Sequence, residues 1–524
     1  LGPLKQCNQA KNQVFNLMIN STTSAFMKIY FWSAASVILS LIAMLVVVPR
    51  LSENIELFGL YSVCLSISVY LSYSDLGFIS AGQKFAAEAF KRNETLSELS
   101  FTGFSIFILI LMFIPFSFLS VFLSVNPEVL INNLSSENRG VASSLLLIVG
   151  LLLPVQVTLE RLASFILSIR LKEFVVLRIN IVVNIVKICS VYFFFSADNY
   201  MLTQYYLFIT LISILGSLFA FINIKWLLNY DFLLLVKNIK FQSDVFNQIG
   251  KLALTSFLLT ISFVFYFHLD SIFIAKLIGI EAVAFFAVGF TLLTFLKTII
   301  NIVYSPFSHY LNHQAAIGED YGLTIQKILI FSLPAYLIAI TVMVIISKYL
   351  VPFWVGAGYQ ASIGVLELLF LSLLFNWINA PASYFYVTAL KYRYQYVLSV
   401  LIPITFTIFL VCTYETLGIE AFAWAKILVG GVISIVACFS LRSIIDVKEI
   451  LVPSLVPVLA VLLSIIFLFP NYLQELFPVV KKSSQDLLLL LVISAVVVLI
   501  SYLVVIVCSS YKRNYFLLLF ARKS

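Results

Sequence analysis

Val37-Ile-Leu-Ser-Leu-Ile-Ala-Met-Leu-Val-Val-Val48 contains one serine among eleven apolar residues and no charge. A strand of a membrane barrel would alternate apolar and polar side chains over about ten residues, and this run does not alternate. Extended back to Ile29, it reaches the ~20 apolar residues that a helix needs to cross the hydrocarbon core. No small-residue cleavage site follows, so it reads as a retained span and not as a signal peptide.

Runs of this kind recur along the sequence. Of 524 residues 62% are hydrophobic and 11% charged, whereas a soluble domain carries about 25% charged residues. So much Leu, Ile, Val and Phe calls for lipid as the solvent. The expected fold class is all-α, a polytopic membrane protein of about 14 transmembrane helices. The runs lie near 29–49, 58–79, 101–124, 142–168, 174–195, 202–224, 250–277, 283–305, 327–347, 361–387, 396–414, 421–441, 449–469 and 486–508. Short connections separate them, leaving no room for a soluble catalytic domain.

The basic residues orient these runs. If the N-terminus is cytoplasmic, only Arg50, Arg139, Lys276, Lys348, Lys481 and Lys482 fall on the outer side. Lys187, Lys297 and Lys426 fall within spans, and the remaining Lys and Arg fall on the inner side. Inner loops are the ones enriched in Lys and Arg, so both termini are expected in the cytoplasm. The formal charge of +8 is then a topogenic signal, and no nucleic-acid partner is expected.

Weak internal repetition suggests two halves. Gly279-Ile-Glu-Ala-Val-Ala284 precedes the eighth run and Gly418-Ile-Glu-Ala-Phe-Ala423 the twelfth, while Leu51-Ser-Glu-Asn-Ile-Glu56 precedes the second. The expected organisation is an N-terminal six-helix bundle over 1–226, a cytoplasmic linker over 227–249 and a second six-helix bundle over 250–441. Two extra helices and a tail over 442–524 complete it. Bundles related by a pseudo-repeat are a common transporter design.

Enzyme signals are thin. There is no GxxxxGK[ST], HExxH or GxSxG motif, so no catalytic residue and no cofactor are expected. His309 and His313 have i, i+4 spacing without a third ligand, which suits a solvated loop better than a metal site. The six cysteines are scattered, form no CxxC pair and read as small packing residues.

The informative residues are charges inside apolar runs, where they are costly and face a cavity or one another. Thr294, Lys297, Thr298, Asn301, Tyr304 and Ser305 share one helical face, as do Asn180, Asn184 and Lys187, and also Ser372, Asn376, Asn379 and Ser383. Gln156, Glu160 and Ser164 align beside Arg161. The candidate cavity residues are therefore Lys297, Lys187, Lys426, Arg161, Asn301, Asn376 and Asn379. Cations among them favour an anionic substrate. Asp270, Glu367 and Asp75 are candidates for proton or sodium coupling; the alternative for Asp270 and Glu367 is an ion pair with Lys297 or Lys426.

Phe58-Gly-Leu-Tyr61, Tyr73-Ser-Asp-Leu-Gly-Phe78 and Ala86-Ala-Glu88 resemble the start of the polysaccharide-exporting flippases, the Wzx group of the multidrug/oligosaccharidyl-lipid/polysaccharide exporter superfamily. Asp270-Ser-Ile-Phe-Ile-Ala-Lys-Leu-Ile-Gly279, Pro306 and Phe353-Trp-Val-Gly356 resemble parts of their second half. The resemblance implies two bundles around a central cavity in a bacterial inner membrane. It also implies movement of a lipid-diphosphate-linked oligosaccharide from the inner to the outer leaflet by alternating access, for surface polysaccharide assembly. A cation-coupled drug or metabolite antiporter of the same superfamily is the alternative. A membrane polymerase or glycosyltransferase fits less well, since such proteins resemble chains with a large outer loop.

Overall fold

The computed structural model describes residues 2–73, 75, 77–132, 134–196, 199–316, 321–389, 391–442, 447–477 and 484–508. The chain divides into two compact units, Leu1–Ile261 and Ser262–Ser524. Apart from one two-residue hairpin, Phe195–Ser196 with Asn199–Tyr200, every described element is helical.

Unit 1 contains α1 (Gly2–Leu51), α2 (Ile55–Tyr73), α3 (Phe78–Lys91), α4 (Thr95–Val125) and α5 (Arg139–Ile169). It continues through α6 (Phe174–Phe194), α7 (Leu202–Leu228), the short α8 (Phe232–Asn238) and most of α9 (Ser243–His268). Unit 2 contains α10 (Asp270–Leu277), α11 (Ile280–Ala316), α12 (Gly322–Val355), α13 (Ala361–Ser372) and α14 (Asn376–Thr388). It ends with α15 (Tyr392–Leu417), α16 (Glu420–Leu441), α17 (Val447–Leu476) and α18 (Ser484–Cys508).

Twelve described helical stretches are long and apolar enough to cross a membrane, and they coincide with twelve of the expected runs. The second expected run is the shorter apolar helix α2, and the seventh is a pair, Thr260–Tyr266 and Asp270–Leu277, bent by 44°. The chain is thus a polytopic all-α membrane protein.

Two polar stretches are more ordered than their composition suggests. The second run was expected to continue to 79, but α2 ends at Tyr73 and Gly77 adopts φ 77° before α3. The helix α3 buries Ile79, Ala81, Ala86 and Ala89, an amphipathic face that lies on α4. The stretch 227–249 carries α8, whose start is capped by the Asp231 carboxylate accepting from Leu234 N–H at 3.0 Å. That stretch packs into unit 1: α8 lies against α4, and Phe241 and Phe246 meet Phe104.

In unit 2 the core is aromatic, with Phe286, Phe370, Phe385, Phe406 and Phe422 fully buried. Helix α13 packs on α11, α12 and α16, while α17 and α18 both lie against α12. The repeated Gly-Ile-Glu-Ala signature has a conformational counterpart. Gly279 has φ 137° and Gly418 has φ 55°, and each ends one helix immediately before α11 or α16 begins. Positive φ strains a residue with a Cβ, so glycine fits both turns. The corresponding turn of unit 1 has no glycine. There the Asn54 side chain accepts from Leu57 N–H at 3.1 Å and caps α2.

Candidate functional site

The break between α9 and α10 is where charge collects. Asp270 opens α10, a position that favours a carboxylate because helix N-termini carry partial positive charge. The same break frees carbonyls at the end of α9, which lose their intrahelical donors. One of them, Tyr266 C=O, accepts a hydrogen bond from Lys426 Nζ at 2.6 Å. The same ammonium lies 2.7 Å from Asp270 Oδ2. Tyr266 answers by donating its hydroxyl to the Lys426 carbonyl at 3.0 Å. Lys426 is 0% and Asp270 1% exposed.

Three rings surround the ammonium, with centroids at 4.8 Å for Tyr266, 5.5 Å for Phe406 and 5.6 Å for Phe290. Their negative faces replace part of the lost hydration. The Lys426 ammonium is therefore balanced by a carboxylate, a backbone carbonyl and aromatic faces. Asp270 Oδ1 completes no hydrogen bond among the described residues.

Lys297 joins this cluster from α11. It is half-buried, its ammonium lies 5.9 Å from the Tyr266 ring centroid, and it is electrostatically coupled to both Asp270 and Lys426. His268 stands edge-on to Phe290, with centroids 6.1 Å apart, and feels both lysines. Lys426 thus meets Asp270 directly, and Lys297 acts on both partners through space. Along the polar face of α11, Thr294, Thr298 and Asn301 are exposed and Tyr304 is buried, while the Ser305, His309 and His313 side chains lie outside the described residues. The two threonine hydroxyls bond carbonyls of their own helix.

The other expected residues have separate surroundings. Glu367 accepts from Ser347 Oγ at 2.9 Å, linking α13 to α12. Asn379 accepts from Ser434 Oγ at 3.1 Å and donates to Gly430 C=O at 3.4 Å, holding α14 to α16. Asn376 is half-buried. In unit 1, Lys187 is half-buried on α6 and coupled to Glu160 of α5. Asp75 accepts from Ile79 N–H at 3.1 Å, shaping the entry to α3, and feels the opposite charge of Arg161.

Sequence reasoning passed over Tyr266, His268 and a second buried ion pair. Arg170 Nη2 meets Glu98 Oε1 at 2.7 Å, and the guanidinium lies over Phe90 at 4.6 Å and Tyr230 at 5.1 Å. In the sequence Arg170 is one of the many basic residues on the inner side, with nothing to mark it for pairing. Tyr266 stands four residues before Asp270, one helical turn away, but an aromatic in an apolar run carries no signal by itself. Among the described residues no group of three or more His, Cys, Asp or Glu could hold a metal.

No family model and no curated protein sequence matches the chain. Solved structures do. One, titled "Lipid II flippase MurJ, inward closed conformation", superposes with a TM-score of 0.65 at 15% identity, covering 88% of this chain and 98% of that one. Another, described as the inward-facing conformation of a multidrug resistance MATE family transporter of the MOP superfamily, gives a TM-score of 0.58 at 14% identity, covering 78% and 97%. At such identities the likeness is one of fold, and this chain has the helical fold that those two transporters share.

Proposed function

We propose that the protein is a flippase that moves a lipid-diphosphate-linked oligosaccharide from the inner to the outer leaflet by alternating access, and is not an enzyme. The observation that carries this reading is the unit 2 cluster, where two lysines, Lys426 in contact and Lys297 nearby, converge on the carboxylate of Asp270. An excess of ammonium over carboxylate inside spans suits a diphosphate. The fold likeness to a lipid II flippase supports it, as does the resemblance of the first spans to the polysaccharide exporters.

Within this reading Lys297 contacts the substrate, with Asn301, Asn376, Asn379, Lys187 and Arg161 as further polar partners, and Lys426 holds the cluster in place. The protein sits in a bacterial inner membrane with both termini cytoplasmic; a tag after Ser524 accessible only from outside would overturn that orientation. Proton or sodium coupling would run through Asp270, Glu367 or Asp75. Coupling at Asp270 would require the contact with Lys426 to open during the cycle.

The antiporter reading is favoured by the MATE neighbour, but a cationic drug would seek carboxylates where this cluster presents ammonium groups. Purified protein in vesicles separates the two. Flipping of a fluorescent diphosphate-linked glycolipid, lost in Lys297→Ala and partly kept in Lys297→Arg, supports the flippase. Uptake of organic cations without glycolipid movement would reverse the assignment.

A further inference from the structure

A chamber of about 660 Å³ lies within unit 2, walled by α11, α12 and α18. Phe307, Tyr310 and Lys327 are exposed at its opening, whereas Tyr304 and Tyr336 are buried at its inner end. Lys327 stands near the start of α12 and Tyr336 nine positions later, roughly 13 Å along the helix. The chamber therefore runs from a cationic rim into an aromatic interior. Tyr502 of α18 closes one wall, and its hydroxyl donates to Phe331 C=O at 3.2 Å.

The phenols of Tyr304 and Tyr336 are the unusual part. They lie close to one another and to Ser332, yet neither hydroxyl completes a well-formed hydrogen bond among the described residues. A buried hydroxyl whose hydrogen bonds are poorly formed gains from a better acceptor, so these two suit a ligand that brings acceptors into the chamber. A purely hydrocarbon or isoprenoid chain brings none.

We propose that this chamber binds one anionic glycerophospholipid from the leaflet on the Lys-rich side of the protein. The phosphate sits against the Lys327 ammonium, which offers three donors. The ester carbonyls, which can only accept, take the Tyr304 and Tyr336 hydroxyls. The first methylenes of an acyl chain lie along Phe307 and Phe331. In this role α18 forms a wall of a lipid site, which gives a use to a helix added beyond the two six-helix sets. The proposal stands apart from the transport reading, because occupancy can be measured without transport.

Native mass spectrometry of the delipidated full-length protein, titrated with phosphatidylglycerol, phosphatidylcholine and a neutral polyprenol, tests it. Expected is one tightly held phosphatidylglycerol per chain, with phosphatidylcholine weaker and the polyprenol unable to displace it. Tyr304→Phe and Tyr336→Phe should each weaken phosphatidylglycerol by about 5-fold, what loss of one net hydrogen bond implies. Lys327→Gln should erase the preference over phosphatidylcholine, and Ala335→Trp should fill the chamber and remove the tight site. Unchanged affinity in both Phe variants, or displacement by the polyprenol, overturns the proposal. Because Tyr→Phe conserves shape, these two variants decide the matter even if Ala335→Trp fails to fold.

Discussion

In unit 1 Arg170 meets Glu98 where α5 ends and α4 begins; in unit 2 Lys426 meets Asp270 inside the helical layer, at the break between α9 and α10. Both contacts measure 2.7 Å, and both cations lie over aromatic rings. The chemistry differs with the setting. Arg170 spreads its charge over a planar fork that also donates to the Ile166 carbonyl and keeps a 12% exposed side chain, so part of it stays within reach of water. Lys426 has no such outlet, and the break in α9 supplies the carbonyl that takes a second proton of the ammonium. A buried point charge therefore depends on a local defect in a helix, and a charge at a helix end does not.

The contrast can be broken most sharply at Lys426. Lys426→Met leaves Asp270 buried without its cation and should cost about 3–5 kcal/mol, read as a large loss of thermal stability in detergent. The double variant Lys426→Met with Asp270→Asn should recover most of it, since a neutral pair removes the stranded charge. Equal destabilisation in both proteins would mean that the pair does not act as a unit.

Next in size is Lys297→Ala. It should abolish glycolipid movement with little change in melting temperature, because Lys297 is half-buried on a polar face while Lys426 is enclosed. Parallel loss of stability and transport would place Lys297 with Lys426 as a structural charge. In unit 1, Arg170→Lys should cost about 1 kcal/mol, the stacking on Phe90 and Tyr230 being weaker for an ammonium. A loss as large as that of Lys426→Met would erase the distinction between the two settings. Of the same order as Arg170→Lys is Tyr266→Phe, which keeps the ring under Lys426 and deletes the hydroxyl bond to its carbonyl. About 1 kcal/mol is expected from calorimetry.

The sequence made the spans legible because hydrocarbon imposes a minimum length of apolar residues that no soluble core demands. Every expected run corresponds to a described helix, including the bent pair. The amphipathic α3 and the short α8 escaped, because their apolar faces are narrow and interrupted by Lys84, Glu88 and Lys237, so the segments read as polar connections. Lys297, Lys426 and Asp270 announced themselves as charges in apolar runs. Their convergence on Tyr266 did not, since it depends on how α9, α11 and α16 meet across 160 residues of chain. The stripe that carries Asn379 gave no sign that its side chain bonds to α16. Polar spacing on one helix does not say which neighbour the stripe faces.

That separation of 160 residues between Tyr266 and Lys426 also has a timing consequence during synthesis. At 5–20 residues per second, the ribosome takes roughly 8–30 s to reach Lys426 after making the break in α9. Throughout that interval the Asp270 carboxylate and the Tyr266 carbonyl lack Lys426, the direct partner they share. A chain stopped before α16 is frozen in that condition, so release of truncated products ending near residue 415 should make them strong substrates for membrane quality-control proteases, while products ending after Leu441 should persist.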